Sequence, residues 1–408
     1  MKARGWKFTA FILLLSSFLA CLGLFLVDTW PTARDWSTHF FWTKQYKRSL
    51  QSGVLHPKWV EPSHGGYGSP AFMFYPPLVY LSSALLSFLV SDVWALRLVN
   101  LLFFLMGAGG CYLLCREFCD EGKSLLGAIL FTLLPSHLLL LYGDWLFANL
   151  SVMAFFPWLV LALLKKSRYL ALLWAAMVLT HTMSALLLVP WLIVLCLRDD
   201  FHKTIKYLIA SLFLGSLLVA FYWLPVAAHL SEIRQDVHLS PSWGSAWQNV
   251  LFTVDNPQQG QAWTILNWFI GIVQLLQFGA ICGAAAVLWP SWKEGWQRWI
   301  GLLAVLSFGL MLRPAAFFWR LFPTLGRMLG ALPWRLAPPL TLLVAILVPA
   351  ALQRVDGEGK RQKFGRLALV GFLALSILPT LVLYYVAATS ALKTADLDKA
   401  RSYGHWSV

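Results

Sequence analysis

Long apolar runs separated by short charged segments make up most of the sequence. The first run extends from Phe8 to Val27 behind a basic N-terminus. About 20 apolar residues suffice to span a bilayer, whereas the apolar region of a secretory signal is shorter. Phe18-Leu19-Ala20-Cys21 has the form of a lipoprotein cleavage site, but the apolar run continues beyond it. The pattern therefore predicts an uncleaved membrane anchor.

The later apolar runs alternate with compact basic loops. The runs are 72–90, 96–115, 124–141, 149–164, 169–181, 184–197, 205–225, 263–289, 299–312, 336–353 and 367–388. The basic loops are Arg116–Lys123, Lys165–Arg168, Arg198–Lys206, Lys293–Arg298 and Arg354–Arg366. Because short loops rich in Lys and Arg stay in the cytoplasm, all five are expected there, together with the N-terminus.

This sidedness decides which runs cross the membrane. If 72–90 crossed, every later basic loop would face the wrong side, and its start at Pro70–Pro77 is unfavourable for a spanning helix. We therefore expect an interfacial or re-entrant helix at 72–90. By the same logic, 169–197 forms two short helices that meet outside near Thr180–Ser184. Half-length helices are acceptable where their ends are buried in protein or line a cavity.

The predicted fold class is an all-α polytopic membrane protein of about 11 membrane segments, with the N-terminus inside and the C-terminus outside. A transmembrane domain covers 1–388 and has its first outer loop at 28–95. Further outer segments lie at 226–262 and 313–335, and a short outer tail covers 389–408. No soluble C-terminal domain is expected.

Composition and charge agree with a membrane location. Hydrophobic residues make up 59% of the chain and charged residues 12%, with a mean hydropathy of +0.66. A soluble domain carries about 25% charged residues, so a water-soluble enzyme is excluded. The net charge of +14 would suggest nucleic acid in a soluble protein. Here the N-terminal tail and the five basic loops hold 18 basic and eight acidic residues. Most of the positive net charge is therefore explained by the orientation of the protein in the membrane.

The distribution of histidines and cysteines favours a site on the outer face. Eight of the nine histidines fall outside or in the outer half of the membrane, and His202 is the exception. Polar groups beside the apolar region are costly, so such clustering indicates function. No cysteine falls in an outer loop, so no disulfide framework is expected. Cys111, Cys115 and Cys119 share a helix face, which is more typical of packing than of a metal site.

The first outer loop contains the densest group of candidates. Asp35 and His39 are four residues apart in Arg34-Asp35-Trp36-Ser37-Thr38-His39, so on a helical turn they share one face. A carboxylate beside an imidazole can accept a proton from an attacking hydroxyl, which makes both residues catalytic candidates. Alternatively, Asp35 caps the following short helix, since Asp is a favoured N-cap residue.

Four further residues are candidates for substrate binding. His64 and Tyr67 lie in the glycine-rich stretch His64–Pro70, and Tyr75 follows in Phe74-Tyr75-Pro76-Pro77. Glycines let a backbone approach a ligand or make tight turns, and both interpretations stay open. His181 occupies the predicted outer turn between the two short helices.

Two other outer junctions carry polar groups. Asp144, in Tyr142-Gly143-Asp144-Trp145, follows the 124–141 run and is a candidate to assist Asp35, to orient a substrate or to hold a metal ion; a plain helix cap is the alternative. Tyr222-Trp223-Leu224-Pro225 precedes His229 and Glu232. An interfacial aromatic belt ended by proline explains this second junction equally well.

The third outer segment is basic. It contains Arg313, Arg320, Arg327 and Arg335, and no acidic residue occurs from Ser307 to Gln353. Guanidinium groups suit phosphate oxygens, so a lipid phosphate or diphosphate at the bilayer surface is an attractive partner, with Arg335 as the first candidate. Contact with ordinary anionic lipid headgroups is the alternative.

The motifs above occur in an order typical of a known family. Along the chain they are Asp-x-x-x-His, Gly-x-x-His-Pro-x-Trp, Gly-Gly-Tyr-Gly-Ser-Pro, Phe-Tyr-Pro-Pro-Leu, Gly-Asp at 143–144, Tyr-Trp-Leu-Pro at 222–225 and Leu-Pro-Trp-Arg at 332–335. Over residues 1–340 the sequence resembles the bacterial membrane proteins labelled "6-pyruvoyl-tetrahydropterin synthase-related". Those proteins resemble in turn the GT-C superfamily of polyprenyl-linked glycosyltransferases.

This resemblance implies a GT-C fold in the bacterial cytoplasmic membrane, with an outer first loop that carries interfacial helices and a catalytic acid. It places the catalytic acid at Asp35 and a second acidic position at Asp144. The sequence departs from the family pattern in having a single acid at 35 rather than a doublet. Acceptor recognition and metal dependence therefore do not transfer, and no cofactor is assigned, although a divalent metal stays open.

The expected reaction is an inverting transfer at the outer face. A polyprenyl-phosphate sugar docks on Arg335, with Arg327 and Arg320 as further candidates. Asp35 takes the proton of an acceptor hydroxyl on a glycan, lipid or protein as it attacks the anomeric carbon. The expected partners also include membrane lipids but no nucleic acid. A transporter or flippase of a lipid-linked saccharide, or a non-catalytic scaffold of envelope-polysaccharide assembly, are the competing interpretations.

Overall fold

The computed structural model describes residues 3–26, 30–31, 35–63, 66–144, 146–232, 246–252, 260–289, 296–328, 332–355 and 391–392. His64, the apolar run 367–388 and most of the tail 389–408 lie outside this part of the chain. In the described part nearly every element is a helix. The one ladder is a two-residue antiparallel pairing of β1 (Trp30–Pro31) with β2 (Ala391–Leu392).

The described residues of the first half of the chain form ten helices. They are α1 (Ala3–Phe25), α2 (Trp36–Gln51), α3 (Ala71–Phe74), α4 (Leu78–Leu86), α5 (Asp92–Cys115), α6 (Glu121–Leu133), α7 (Pro135–Leu139), α8 (Phe147–Met153), α9 (Phe156–Leu164) and α10 (Leu170–Leu195). A π-helical turn, Leu140–Asp144, continues α7.

The second half adds seven more described helices. They are α11 (Phe201–Leu218), α12 (Ala220–Ala228), α13 (Gly260–Leu288), α14 (Trp296–Met311), α15 (Ala316–Leu321), α16 (Pro323–Met328) and α17 (Pro338–Val355). Single 3-10 turns lie at Cys196–Arg198, Leu230–Glu232, Ala246–Gln248, Arg313–Ala315 and Pro333–Leu336.

Several of these helices are long and apolar enough to cross a bilayer. Within the described residues, length and composition select seven, and an eighth if α11 and α12, which are bent by 79° at their junction, form one span. The predicted all-α polytopic fold is thereby confirmed. The predicted number of eleven includes 367–388, outside the described residues, so that number stays a prediction.

Contacts bring the charged loops to one face of the molecule. They include the Thr9 hydroxyl with Glu121, the Lys165–Glu117 and Lys166–Asp199 ion pairs, and the backbone N–H of Asp120 with the Gln353 side chain. These contacts join the N-terminal helix, three of the basic loops and the end of α17. This arrangement is the one that the charge pattern requires if those loops share a compartment.

The α10 segment is a hairpin rather than a straight helix. A straight helix of 26 residues would be about 39 Å long. Yet Lys166, before α10, lies 3.5 Å from Asp199, after it, and Tyr207 of α11 donates a hydrogen bond of 2.6 Å to the Ser167 carbonyl. The chain turns at His181, whose backbone is extended (φ −161°, ψ 96°) between two helical halves. A turn at this position was predicted near Thr180–Ser184, and its location on the outer face stays a prediction.

The first outer loop folds as α2, α3 and α4 over the end of the bundle. The nine residues of α4 extend about 14 Å, half of the hydrocarbon thickness. The glycine-rich stretch makes a turn that is closed by an antiparallel bridge between Val60 and Ser69. Gly68 has φ +82°, and a side chain there would collide with the indole of Trp59. A structural turn therefore accounts for this glycine.

Candidate functional site

Asp35 and His39 open the site at the start of α2. Asp35 occupies the N-cap position, but its side chain makes no cap hydrogen bond. The carboxylate is partly exposed, and it does not make the helix-capping hydrogen bond that the sequence left as an alternative. His39 lies one turn further on, with its backbone N–H on the Asp35 carbonyl at 3.1 Å, and its side chain is 2% exposed.

The His39 ring is held in an aromatic environment. Its Nδ1 lies 2.6 Å from the hydroxyl of Tyr80 in α4, and the rings of Trp42 and Phe147 meet it edge-on. Burial lowers the pKa of His39 to about 3. The ring is therefore neutral at physiological pH, because burial penalises the charged imidazolium.

Tyr75 connects the first outer loop with distant parts of the chain. It follows α3 at the Pro76-Pro77 bend, and its ring meets that of Tyr80 edge-on, with 5.8 Å between the ring centroids. Burial raises the pKa of Tyr75 to about 12, the Asp35 carboxylate raises it further, and the Arg335 guanidinium opposes both effects. Asp35 and Arg335 therefore both act electrostatically on Tyr75, although 300 residues separate them in the sequence.

Arg335 is presented by the 3-10 turn Pro333–Leu336, just before α17. The buried indole of Trp334 anchors this turn, and the partly exposed guanidinium interacts electrostatically with Tyr75 and with His181. The turn ends at Leu336, two residues before Pro338, where the proline pair begins α17.

His181 contributes from the turn of the α10 hairpin. Its Nδ1 accepts the backbone N–H of Ser184 at 3.2 Å, which caps the second helical half. Asn149 of α8 supports this end by donating to the Ser184 hydroxyl at 2.9 Å. Because Nδ1 accepts a hydrogen bond, the neutral ring carries its proton on Nε2, where it is a donor.

Two tyrosines of the site were not selected from the sequence. Tyr80 lies in an apolar stretch with no local polar signal. Tyr222 belongs to Tyr-Trp-Leu-Pro, which had an adequate explanation as an interfacial belt. In the structure the Tyr222 hydroxyl donates to the Phe74 carbonyl at 3.1 Å and interacts with Thr182 and Tyr75. Only long-range packing brings these groups into the site.

The other candidates are placed differently. Tyr67 lies outside the buried cluster, since its side chain is 89% exposed. Arg320 is exposed on α15. Asp144 ends the π-helical turn and Arg327 lies in α16, but both side chains are outside the described part of the chain.

An apolar cavity of about 310 Å³ follows α17 from Pro339, four residues after Arg335, as far as Ala350, a length of about 16 Å. Leu188 of α10 and Ile300 of α14 also line it. Its lining includes none of the site residues described above, so the cavity shares with the site only the start of α17.

The described residues offer little for a metal ion. No three His, Cys, Asp or Glu side chains among them are placed to share one. The side chain of Asp144, the second acidic candidate, is outside the described part of the chain. No step of the reaction below is routed through a metal ion.

Comparisons with known proteins agree with this architecture. Residues 72–238 match the family described as "6-pyruvoyl-tetrahydropterin synthase related domain; membrane protein". No curated protein matches the sequence. The structure is similar to that of the arabinofuranosyltransferase AftD from mycobacteria, with a TM-score of 0.52 and 16% identity, over 96% of this chain and 28% of the AftD chain. It is also similar to ArnT from Cupriavidus metallidurans, bound to undecaprenyl phosphate, with a TM-score of 0.43 and 12% identity over 87% and 79% of the two chains.

These findings define the class of the protein by its fold. The chain is an all-α membrane protein whose fold is similar to that of AftD, and the resemblance to the membrane protein family expected from the motif order is confirmed over residues 72–238. The chain spans about a quarter of the length of AftD, so the activity of that whole protein is not carried over with the fold.

Proposed function

We propose that the chain is a membrane glycosyltransferase of the GT-C type. It moves a sugar from a polyprenyl phosphate or diphosphate to an acceptor hydroxyl at the outer face of the bacterial cytoplasmic membrane. The observation that carries the proposal is that Asp35 and Arg335 both act electrostatically on Tyr75, while an apolar cavity begins at Pro339, four residues after Arg335. In the proposed reaction they serve as the base, the anion-binding group and the space for the isoprenoid chain.

Each group has a defined task in this reaction. Asp35 accepts the proton of the acceptor hydroxyl as its oxygen attacks the anomeric carbon. The bond from that carbon to the phosphate oxygen breaks, and Arg335 stabilises the negative charge that develops on the leaving phosphate. A single base with attack from the face opposite the leaving group inverts the anomeric centre.

His181 and His39 support these two groups in different ways. The Nε2–H of His181 lies in the electrostatic neighbourhood of Arg335 and supplies a neutral donor for a phosphate oxygen. His39 stays neutral and buried behind Asp35, so it does not act as the proton acceptor itself. Five further candidates stay proposed participants, and we expect bound substrate to bring them into contact with the reacting groups. They are Arg320, Arg327, His64, Tyr67 and Asp144.

A transfer assay in defined lipid tests the proposal. The purified protein in nanodiscs receives polyprenyl-phosphate sugars with a panel of glycan, lipid and peptide acceptors. We expect acceptor-dependent release of polyprenyl phosphate. Movement of intact sugar lipid across a vesicle membrane without cleavage would support the transporter interpretation instead. Absence of both reactions across the panel would favour the scaffold interpretation.

A further inference from the structure

A second cavity lies on the outside of the bundle, between α13 and α14. It is a groove of about 710 Å³ with mainly apolar walls. Cys282 and Val305 line it and are exposed, so the groove opens toward the surrounding lipid. No residue of the transfer site lines it. Six residues line this groove but not the apolar cavity along α17. They are Phe278, Cys282, Ala286, Trp289, Arg298 and Val305.

The groove has the length of one lipid leaflet. On α13 its lining runs from Phe278 to Trp289, a helical distance of about 16 Å, and half of the hydrocarbon core of a bilayer is about 15 Å. At one end the Phe278 ring stacks on the Phe308 ring of α14, with 4.3 Å between the centroids and 7° between the planes. This stack closes the gap between the two helices. The groove therefore matches an acyl chain that enters from the opposite end.

That opposite end carries a positive charge. Arg298, in the first turn of α14, lines the groove and has an exposed side chain. It belongs to the basic loop Lys293–Arg298, which is expected on the cytoplasmic face. Trp289 lines the groove beside the same loop, and tryptophan is enriched at the level of lipid headgroups. A guanidinium at the mouth of an apolar groove suits the phosphate of a lipid whose chain lies inside.

Gln297 adds a polar group at this end. It lines the groove, and its side-chain oxygen is buried and accepts no hydrogen bond from the described residues. Because a carbonyl oxygen is an acceptor only, its partner has to be a donor. A lipid phosphate is itself an acceptor, whereas the headgroup of phosphatidylglycerol also carries hydroxyls. Arg298 and Gln297 together therefore suit an anionic headgroup that has a hydroxyl donor.

We propose that the groove binds one anionic phospholipid of the leaflet on the side of the basic loops. The phosphate lies on Arg298, a headgroup hydroxyl donates to the Gln297 side-chain oxygen, and one acyl chain follows α13 and α14 as far as the Phe278–Phe308 stack. This site is separate from the transfer site, and the proposal goes beyond the proposed function without resting on it.

Lipid titration followed by native mass spectrometry tests the charge contact. The delipidated protein in detergent receives phosphatidylglycerol or phosphatidylcholine with the same acyl chains, and the Kd of the first bound lipid is measured. Arg298→Gln should raise the Kd for phosphatidylglycerol roughly fivefold and that for phosphatidylcholine less. Arg354→Gln, at an exposed arginine in the last turn of α17, is the matched control and should bind as the wild type. Equal losses for the two variants, or no loss for Arg298→Gln, would overturn the proposal.

The hydroxyl contact has its own comparison. Phosphatidylmethanol has the charge of phosphatidylglycerol but no headgroup hydroxyl. The wild type should bind phosphatidylglycerol roughly fivefold more tightly than phosphatidylmethanol, and Gln297→Met should remove this preference. A preference that persists in Gln297→Met would contradict the assignment of the headgroup to this end of the groove.

A bulky substitution tests the path of the acyl chain. Ala286 is exposed and lines the groove, so Ala286→Trp should raise the Kd for both lipids several-fold. Leu302→Trp adds similar bulk at an exposed position of α14 outside the groove and should bind as the wild type. Tm without added lipid verifies that both variants fold. Wild-type binding by Ala286→Trp would place the lipid elsewhere and overturn the proposal.

Photolabelling locates the lipid in a bilayer. Nanodiscs of phosphatidylcholine that contain the full chain receive a small fraction of phosphatidylglycerol with a diazirine on one acyl chain. We expect labelled peptides from 278–289 and 297–305, with labelling that declines as unlabelled phosphatidylglycerol replaces phosphatidylcholine. Labelling spread evenly over the exposed helices and insensitive to the competitor would show only the ordinary lipid annulus and would contradict a specific site.

Discussion

At the scale of single residues, the site depends on which of several similar side chains reaches the cluster. Four arginines occupy the third outer segment, and local sequence ranks Arg335 first only through its motif. In the structure Arg335 acts electrostatically on Tyr75, whereas Arg313 and Arg320 are exposed. An exposed guanidinium fits the alternative role of contact with anionic headgroups. Tertiary packing, which no local pattern encodes, makes this distinction.

Replacement of Arg335 should act on donor binding. Arg335→Lys keeps the charge but loses the planar fork that matches phosphate oxygens. We expect KM for the polyprenyl-phosphate sugar to rise roughly tenfold. Arg313→Lys makes the same change at an exposed position of the same segment and should leave KM unaltered. Equal effects of the two substitutions would indicate a general surface potential instead of a phosphate site.

His39 should make the fold sensitive to mild acid. Its pKa is about 3 in the folded protein, because of burial, and near 6.5 when the chain unfolds. Between these values only the unfolded state takes up the proton. The free energy of unfolding is therefore highest above pH 6.5 and decreases as the pH falls, by about 1.4 kcal/mol per pH unit for this group.

The measurement is Tm between pH 7.5 and 5. His39→Gln should show a shallower decline than the wild type, since one proton fewer is taken up on unfolding. His229→Gln, at an exposed ring that pairs with Glu232 at 2.9 Å, should follow the wild-type curve. An unchanged slope for His39→Gln would show that its ring is not buried in the neutral state.

At the scale of elements, charge patterning predicts more of the fold than helix propensity does. The run 169–197 is continuous and apolar, and by length and composition alone it qualifies as one span. The basic loops on either side of it require a hairpin, and the contacts of Lys166 and Tyr207 agree. The turn position could also be predicted, because His181 and its polar neighbours interrupt the apolar run.

Cross-linking tests this hairpin directly. Lys166→Cys with Asp199→Cys, in a background with Cys282→Ser, should be joined by a short bifunctional thiol reagent, because the native side chains are 3.5 Å apart. Lys166→Cys with Thr182→Cys, at opposite ends of one helical half, should not. Mass spectrometry of the digested protein identifies the linked peptides. Absence of the Lys166→Cys/Asp199→Cys cross-link would mean that α10 is not folded back.

Also at this scale, the sequence did not allow the packing of the first outer loop against the rest of the bundle to be predicted. The Asp-x-x-x-His spacing places two residues on one face of α2, and that much follows from helical geometry. The partners of that face, Tyr80 and Phe147, carry no local signal, since aromatic residues in apolar runs ordinarily indicate packing. Contacts between segments that are far apart in sequence decide the site.

At the scale of the whole molecule, the site and the apolar cavity share the start of α17. Gly301 lines this cavity, and a side chain added there would meet open space. Gly301→Phe should therefore fold but obstruct an isoprenoid chain. We expect a several-fold higher KM for long-chain donors and no change for a short prenyl-phosphate sugar. Leu302→Phe, on the exposed side of α14, is the control.

If Gly301→Phe raises KM equally for long and short donors, the cavity does not hold the chain, and the effect has to come from distortion of the site. Equal kinetics for Gly301→Phe and the wild type would place the isoprenoid chain elsewhere. In both cases Arg335 would remain the proposed phosphate contact, since its evidence is independent of the cavity.

The central claim is that Asp35 performs proton acceptance at the site where Arg335 holds the phosphate. A single-turnover comparison of wild type and Asp35→Asn tests it most directly, with bound donor and acceptor-dependent release of polyprenyl phosphate measured on the same sample. Glu61→Gln, an exposed acid of the same outer loop, is the control. We predict that Asp35→Asn binds the donor as the wild type does and loses transfer by a factor of at least about 100, while Glu61→Gln retains both. Transfer by Asp35→Asn at the wild-type rate would contradict the account.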